Sequence, residues 1–201
     1  ASPALSAFRA RGEALVFVNR RAPDGAAAPF VGIDNRAAGE AVAGLMLARA
    51  LGDVAVIHGA LGSSATAERV QGFGERLALA GRPLDPARIV GPEGADHLLT
   101  GQRGMARLLA GTRRPRGVFC LSDLIAYGAH RACREAGLRV PQDVLLVGFD
   151  DNPLNDWLAP WLTTVRVPVA QVGEAVVATL DAIARDGRSE GVLLPFAIVE
   201  R

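Results

Sequence analysis

Charged and hydroxylated side chains recur in this sequence at one kind of place, just after a short apolar run. Asp34 follows "FVGI", His58 follows "DVAVI", Ser122 and Asp123 follow "GVFCL", and Asp150 and Asp151 follow "VLLVGF". Asp, Ser and Asn at such positions shape turns and cap helices, and either Ser122 or Asp123 suits the cap of a helix beginning at Leu124. Capping does not account for Arg69. It falls in the first turns of the helix expected after "GALGSSATAE", where the helix dipole disfavours a cation. A guanidinium facing carboxylates offers fixed donors and acceptors for a polyhydroxylated or anionic small molecule. Phe73, Phe149, Trp157 and Trp161 are the aromatic residues available for an apolar wall, with Phe73 on the same helix as Arg69 and Trp157 in a loop.

Catalytic constellations are absent from the pattern. "GALGSS" precedes a helix but lacks the Lys-Ser/Thr of a phosphate loop and the third glycine of a dinucleotide fingerprint. Ser63 and Ser64 are not in a G-x-S-x-G elbow. His58, His97 and His130 show no paired ligand spacing, so no metal is expected. Asp150 and Asp151 point to opposite sides if the strand continues through them, which argues against an acid–base pair. The reading is of a binding protein, not an enzyme, with no catalytic residue, metal or cofactor.

The elements that must position these residues alternate between two periods. "DVAVIHG" (53–59), "RIVG" (88–91), "GVFCLSD" (117–123) and "VLLVGFD" (144–150) read as strands with almost no polar residue inside. Each of the first three is followed by a helical segment. Val70, Phe73 and Leu77 share one face, and Gly81 and Pro83 end that helix. A second helix runs from about Leu98 to Ala110. A third carries Ile125, Ala129, Ala132 and Ala136 and ends at Gly137. Apolar strands each followed by an amphipathic helix predict a parallel sheet covered on both faces. In such sheets ligands bind beyond the carboxyl ends of the strands, where the polar residues above fall. A smaller unit is predicted from "ALVFVN" (14–19), "FVGIDN" (30–35), the helix of Val42, Leu45 and Met46, the strand "LTTVRVP" (162–168) and the helix Val172–Ala184. The final run, "GVLLPFAIVER", is strand-like, its Pro195 suiting an edge.

Composition narrows the class. The 201 residues are 50% hydrophobic and 21% charged, which fits a folded globular chain. A net charge of +1 is not that of a nucleic-acid-binding face, and "TRRPR" (112–116) reads as a solvated turn before a strand. Cys120 and Cys133 are expected to pack in a reducing compartment. No apolar run is long enough for a membrane span, and no signal-peptide pattern opens the chain. The opening "ASPALSAFRARGEALVFVN" reads as the second half of a helix running into a strand, so further chain is expected upstream.

The block "GVFCLSDLIAYGAHRACREAGLRVPQDVLLVGFDDNPLNDWLAPWLTTVRVP" resembles the effector-binding core of LacI/GalR-type bacterial transcription regulators, and "FVGIDNRAAGEA" and "SATAERVQGF" fit that family at matching intervals. The resemblance implies an α/β, periplasmic-binding-protein-like type I fold: two doubly wound parallel-sheet subdomains, three crossovers, a ligand cleft between them, and a truncated first subdomain. The expected division is 1–51 plus 163–188 for the first subdomain and 52–162 plus 189–201 for the second. Carried over by position, Asp34, Arg69, Ser122 and Asp150 would contact the effector, a sugar or sugar derivative, while Asp151 would hold the crossover loop. Two positions depart from the family pattern. Asp96 and His97 stand where members often carry an aromatic residue, and Ser122 stands where Asn is frequent.

The implied protein is a cytoplasmic repressor core. It would form a homodimer mainly through the second subdomain, near the helix from Leu124 to Ala136, and act on operator DNA through an N-terminal helix-turn-helix outside these residues. The alternative is a periplasmic solute-binding protein of a transporter, on the same fold and cleft.

Overall fold

The computed structural model describes residues 3–23 and 28–201. After a short helix α1 (Pro3–Ala10), strands β1 (Phe17–Val18) and β2 (Phe30–Ile33) lead into helix α2 (Asn35–Ala48). The alternation then runs β3 (Val54–Ile57), α3 (Ser64–Leu79), β4 (Ile89–Val90), α4 (His97–Leu109), β5 (Gly117–Cys120), α5 (Asp123–Glu135) and β6 (Leu145–Asp150). A one-turn helix α6 (Asn155–Leu158), β7 (Thr163–Arg166), α7 (Val169–Asp186), β8 (Gly191–Leu194) and β9 (Ala197–Val199) complete the chain.

Two sheets form. The larger has the order β4-β3-β5-β6-β7-β9, parallel except for β9, and the smaller has the parallel order β1-β2-β8. Side chains of the large sheet alternate between two cores, as the strand period of two requires. Ala55, Ile57, Val118, Cys120 and Leu146 face α4 and α5. Val56, Phe119, Leu145, Val147 and Phe149 face α2 and α3. Both cysteines are buried and free, Cys133 joining Cys120 in the first of these cores.

The sheet membership differs from the expected division of the chain at three places. The "LTTVR" strand was expected with 1–51, yet β7 pairs with β6, Val147 opposite Thr163 and Asp150 opposite Arg166. Helix α2 also leaves the first unit: Ala38, Val42 and Met46 pack with Phe73, Phe119 and Phe149 on the large sheet. Conversely β8, expected in the second unit, completes the small sheet beside β2. The cause is physical. Periodicity reports that a strand is buried on both faces, but not which neighbour supplies the burial. The chain therefore passes between the sheets three times: at Asp34, at Val167–Pro168, and at Pro195–Phe196, where the single strand expected from the last run divides in two.

Helices α2 and α3 pack backbone to backbone through a glycine on each. A Cβ on Gly39 would collide with the Arg69 carbonyl oxygen, and one on Gly72 with the Arg36 carbonyl oxygen. No side chain larger than hydrogen fits at either position without prising the helices apart. The contact fixes Arg69 against the start of α2, next to the first crossover.

Candidate functional site

The chain reaches the carboxyl ends of β2, β3, β5 and β6 at Asp34, His58, Leu121–Ser122 and Asp150. Arg69 projects among them from the second turn of α3. Its guanidinium lies 3.3 Å from the centre of the Phe149 ring, a cation–π contact that receives the charge on an aromatic face. Its Nε donates to Asn35 Oδ1 at 2.8 Å and one terminal nitrogen to the Leu121 carbonyl at 3.1 Å. One side chain thereby ties together α2, α3 and the ends of β5 and β6.

Charge follows from that geometry. Burial holds the Arg69 guanidinium down at about 10, with the opposing carboxylate of Asp150 pulling it back up. Asp150 is exposed at the strand end, yet protein crowds its carboxyl, and that desolvation lifts it to about 6, against the attraction of Arg69 and with a smaller push from Asp123. Asp150 and Asp151 both have positive φ, 112° and 54°. Two successive left-handed non-glycine residues store strain at the strand end, a feature that concentrates at functional sites.

The neighbouring polar groups divide between scaffold and rim. Ser122 caps α5, accepting from the Ile125 amide at 3.3 Å, and its hydroxyl also lies 3.1 Å from His97 Nδ1. Asp34 caps α2 by accepting from the Ala37 amide at 2.9 Å, leaving its other oxygen at the exposed first crossover. Asp123 is scaffold: buried, it accepts from the Asn152 amide, Asn155 Nδ2 and Thr164 Oγ1 at 2.7–2.8 Å and so holds the loop after β6. Asp151 turns away from the rim to accept from Arg166 Nε at 2.6 Å and from Arg201 at 2.9 Å, anchoring the end of β7 where the chain crosses back.

Arg69 and Asp150 thus face each other near Leu121–Ser122, while Asp34 is tied to them only as the chain neighbour of Asn35, the partner of Arg69. Of the four aromatic residues considered for an apolar wall, Phe149 lies under Arg69 at this rim, and the other three are placed elsewhere. Phe73 is a core residue, fully buried with its ring 5.4 Å from that of Phe119, because its helix face is turned to the sheet. Trp157 lies on α6 with 83% of its surface exposed, and no described ring contact or hydrogen bond joins it to Arg69, Ser122 or Asp150. Trp161 stacks on His130 at 3.9 Å. Sequence reasoning missed Asn35, whose signal was a polar residue at the first helical position beside Asp34, and the contact of His97 with Ser122.

Residues 41–201 match the family described as "Periplasmic binding protein-like domain". The chain belongs to this family. Among curated relatives, the "Ribose operon repressor" of Haemophilus influenzae is 38% identical over 145 residues, which is 70% of this chain and 43% of that protein. A regulatory protein of the LacI family from Chloroflexus aggregans superposes with a TM-score of 0.89 at 28% identity, covering 99% of this chain and 71% of that one. A transcriptional regulator CelR–cellobiose complex gives 0.88 at 27% identity, covering 98% and 61%. The chain is therefore a LacI-type effector-binding core with the periplasmic-binding-protein-like fold, and it spans less than half the length of that curated repressor. Among the described residues no helix is long and apolar enough to cross a membrane.

The raised Asp150 carboxyl makes a signed prediction. In the unfolded chain it releases its proton near its ordinary 3.8, in the folded protein only at about 6. The stability it contributes is thus full below 3.8 and is lost as pH rises through about 6. Asp150→Asn lacks this loss. Thermal melts are expected to show the variant above wild type at pH 7.5, with the gap closing towards pH 4; a gap independent of pH contradicts the assignment.

Proposed function

We propose that this core senses a small polar effector, a sugar or sugar derivative, in a crevice between the two sheets, and that occupancy controls operator binding by a headpiece outside these residues. The observation that carries the reading is a partly buried guanidinium facing, without a salt bridge among the described residues, a strained carboxylate on the same rim. Asp150 makes no side-chain hydrogen bond among the described residues, and Arg69 spends its Nε and one terminal nitrogen inside the protein. That leaves an acceptor beside a guanidinium with donors to spare, which suits adjacent hydroxyl groups. Ser122, His97 and the exposed face of Asp34 would extend the site along the rim. The sugar in the CelR complex supports the ligand class, and the repressor relative favours a cytoplasmic sensor over the binding protein of a transporter.

The route from ligand to output runs through neighbours in sequence. A ligand on Asp150 acts one residue from Asp151, which holds Arg166 at the end of β7 and Arg201 at the chain end. Asp34 lies on another crossover. A ligand that contacts both sheets favours one relative orientation of the two units and so shifts the population of that state.

The effector-binding unit is further proposed to form a homodimer through α5 and α6. Leu124, Leu154, Trp157 and Leu158 are 45%, 52%, 83% and 68% exposed there. The two helices are tied by a 2.7 Å hydrogen bond from Tyr127 Oη to Asn155 Oδ1. A large aromatic ring almost wholly in water beside three leucines fits an interface core better than a free surface.

Two measurements test these readings. In calorimetric titrations with cellobiose, ribose and purine bases, a sugar is expected to bind wild type, and Asp150→Ala to bind it roughly 10- to 100-fold more weakly, the loss expected for a hydrogen bond to a charged group. Unchanged affinity in the variant removes Asp150 from the site. In sedimentation experiments wild type is expected to run as a dimer and Trp157→Asp/Leu158→Asp as a folded monomer; a dimeric variant places the interface elsewhere.

A further inference from the structure

At the end of the large sheet opposite the rim, where β3 and β5 begin, arginines crowd two adjoining grooves. Arg82, Arg88 and Arg113 line the first with Asp53 and Asp85, and Arg88, Arg107 and Arg113 line the second with Asp85 and Thr112. Each encloses about 270 Å³. Four guanidiniums thus face two carboxylates in a chain whose net charge is only +1.

The carboxylates offset this charge only in part, through long ion pairs of Asp53 with Arg88 and Arg113. Asp85 Oδ1 accepts from the Ala87 amide at 2.9 Å, and among the described residues no arginine pairs with this carboxylate. Asp53 Oδ1 lies 3.5 Å from Arg113 and 3.9 Å from Arg88, too far for a hydrogen bond to Arg88. Arg82 gives one nitrogen to the Leu51 and Gly52 carbonyls and has the rest of its fork to spare. Arg88 is the most telling. Its side chain is only 13% exposed, yet among the described residues it makes no side-chain hydrogen bond. Its unpaired nitrogens open into the groove, where an anion can accept from them in place of water. Ordinary surface arginines, such as Arg131 at 71% exposure with Glu135 at 2.9 Å, show neither feature.

We infer that these grooves form a second ligand site, distinct from the effector rim, that takes a compact phosphate-bearing anion such as a diphosphate or a phosphorylated metabolite. The planar forks of Arg82, Arg88 and Arg113 match phosphate oxygens two at a time, and Asp53 competes with the ligand for the same donors. The site is concave and of small-molecule size, which favours a free anion over a nucleic-acid backbone. It gives the "TRRPR" segment a role beyond a solvated turn, since Thr112 and Arg113 belong to it.

The test uses pyrophosphate as the probe, titrated calorimetrically at low ionic strength. Wild type is expected to bind one equivalent, with affinity falling as salt rises. Arg88→Gln and Arg113→Gln are each expected to weaken binding by about ten-fold, the loss of one charge-assisted hydrogen bond. Asp53→Asn is expected to tighten it, and Arg131→Gln to leave it unchanged. Thermal melts establish that each variant is folded. No binding by wild type at about 10 mM pyrophosphate, full affinity in Arg88→Gln and Arg113→Gln, weakened affinity in Asp53→Asn, or binding of duplex DNA without binding of pyrophosphate would each overturn the assignment.

Discussion

The Arg69 guanidinium laid on the Phe149 ring is the contact around which the rim is built. A cation at this depth has lost much of its water, and the structure replaces it piece by piece: an aromatic face below, the Asn35 amide oxygen and the Leu121 carbonyl at the sides, and the Asp150 carboxylate opposite. Remove the ring or either oxygen partner and a partly buried charge is left short of partners. The same residue anchors α2 twice, since its carbonyl oxygen packs on Gly39 while its side chain holds Asn35. The first crossover is thereby pinned to the large sheet.

Strain and charge meet at the end of β6. Asp150 and Asp151 both adopt left-handed backbone angles, so consecutive side chains diverge, one towards the rim and one towards Arg166 and Arg201. Asp123, buried below, holds the loop that follows by accepting from the Asn152 amide and the Asn155 side chain. The arrangement leaves one carboxylate at the rim and fixes the other as an anchor within two residues. It also explains why an acidic pair stands at the tip of a core strand: neither carboxylate does chemistry on the other, and each serves a different partner.

Much of this was legible in the sequence because the large sheet obeys simple periods. Apolar runs ending in polar residues located β3, β5 and β6 to within a few residues, and the polar ends located the rim. Arg69 stood out because a cation near a helix start is locally unfavourable. Long-range pairing was not legible. The strand "LTTVR", the helix α2 and β8 joined sheets that periodicity could not name, since burial on two faces looks the same in either sheet. Phe73 and Trp157 were misplaced for a related reason. A helix face does not announce whether it meets a sheet, a ligand or another subunit, and Phe73 meets the sheet while Trp157 meets solvent. Asn35 and His97 were overlooked because short polar residues at helix starts are usually caps.

The central claim is that Arg69 and Asp150 sense each other across the rim. Carboxyl-carbon NMR titration of Asp150 in wild type and in Arg69→Met measures that directly. The account predicts a midpoint of about 6 in wild type and a higher one once the guanidinium is gone, because only burial and Asp123 then act on the carboxyl. A midpoint near the ordinary 3.8 in both proteins would contradict it.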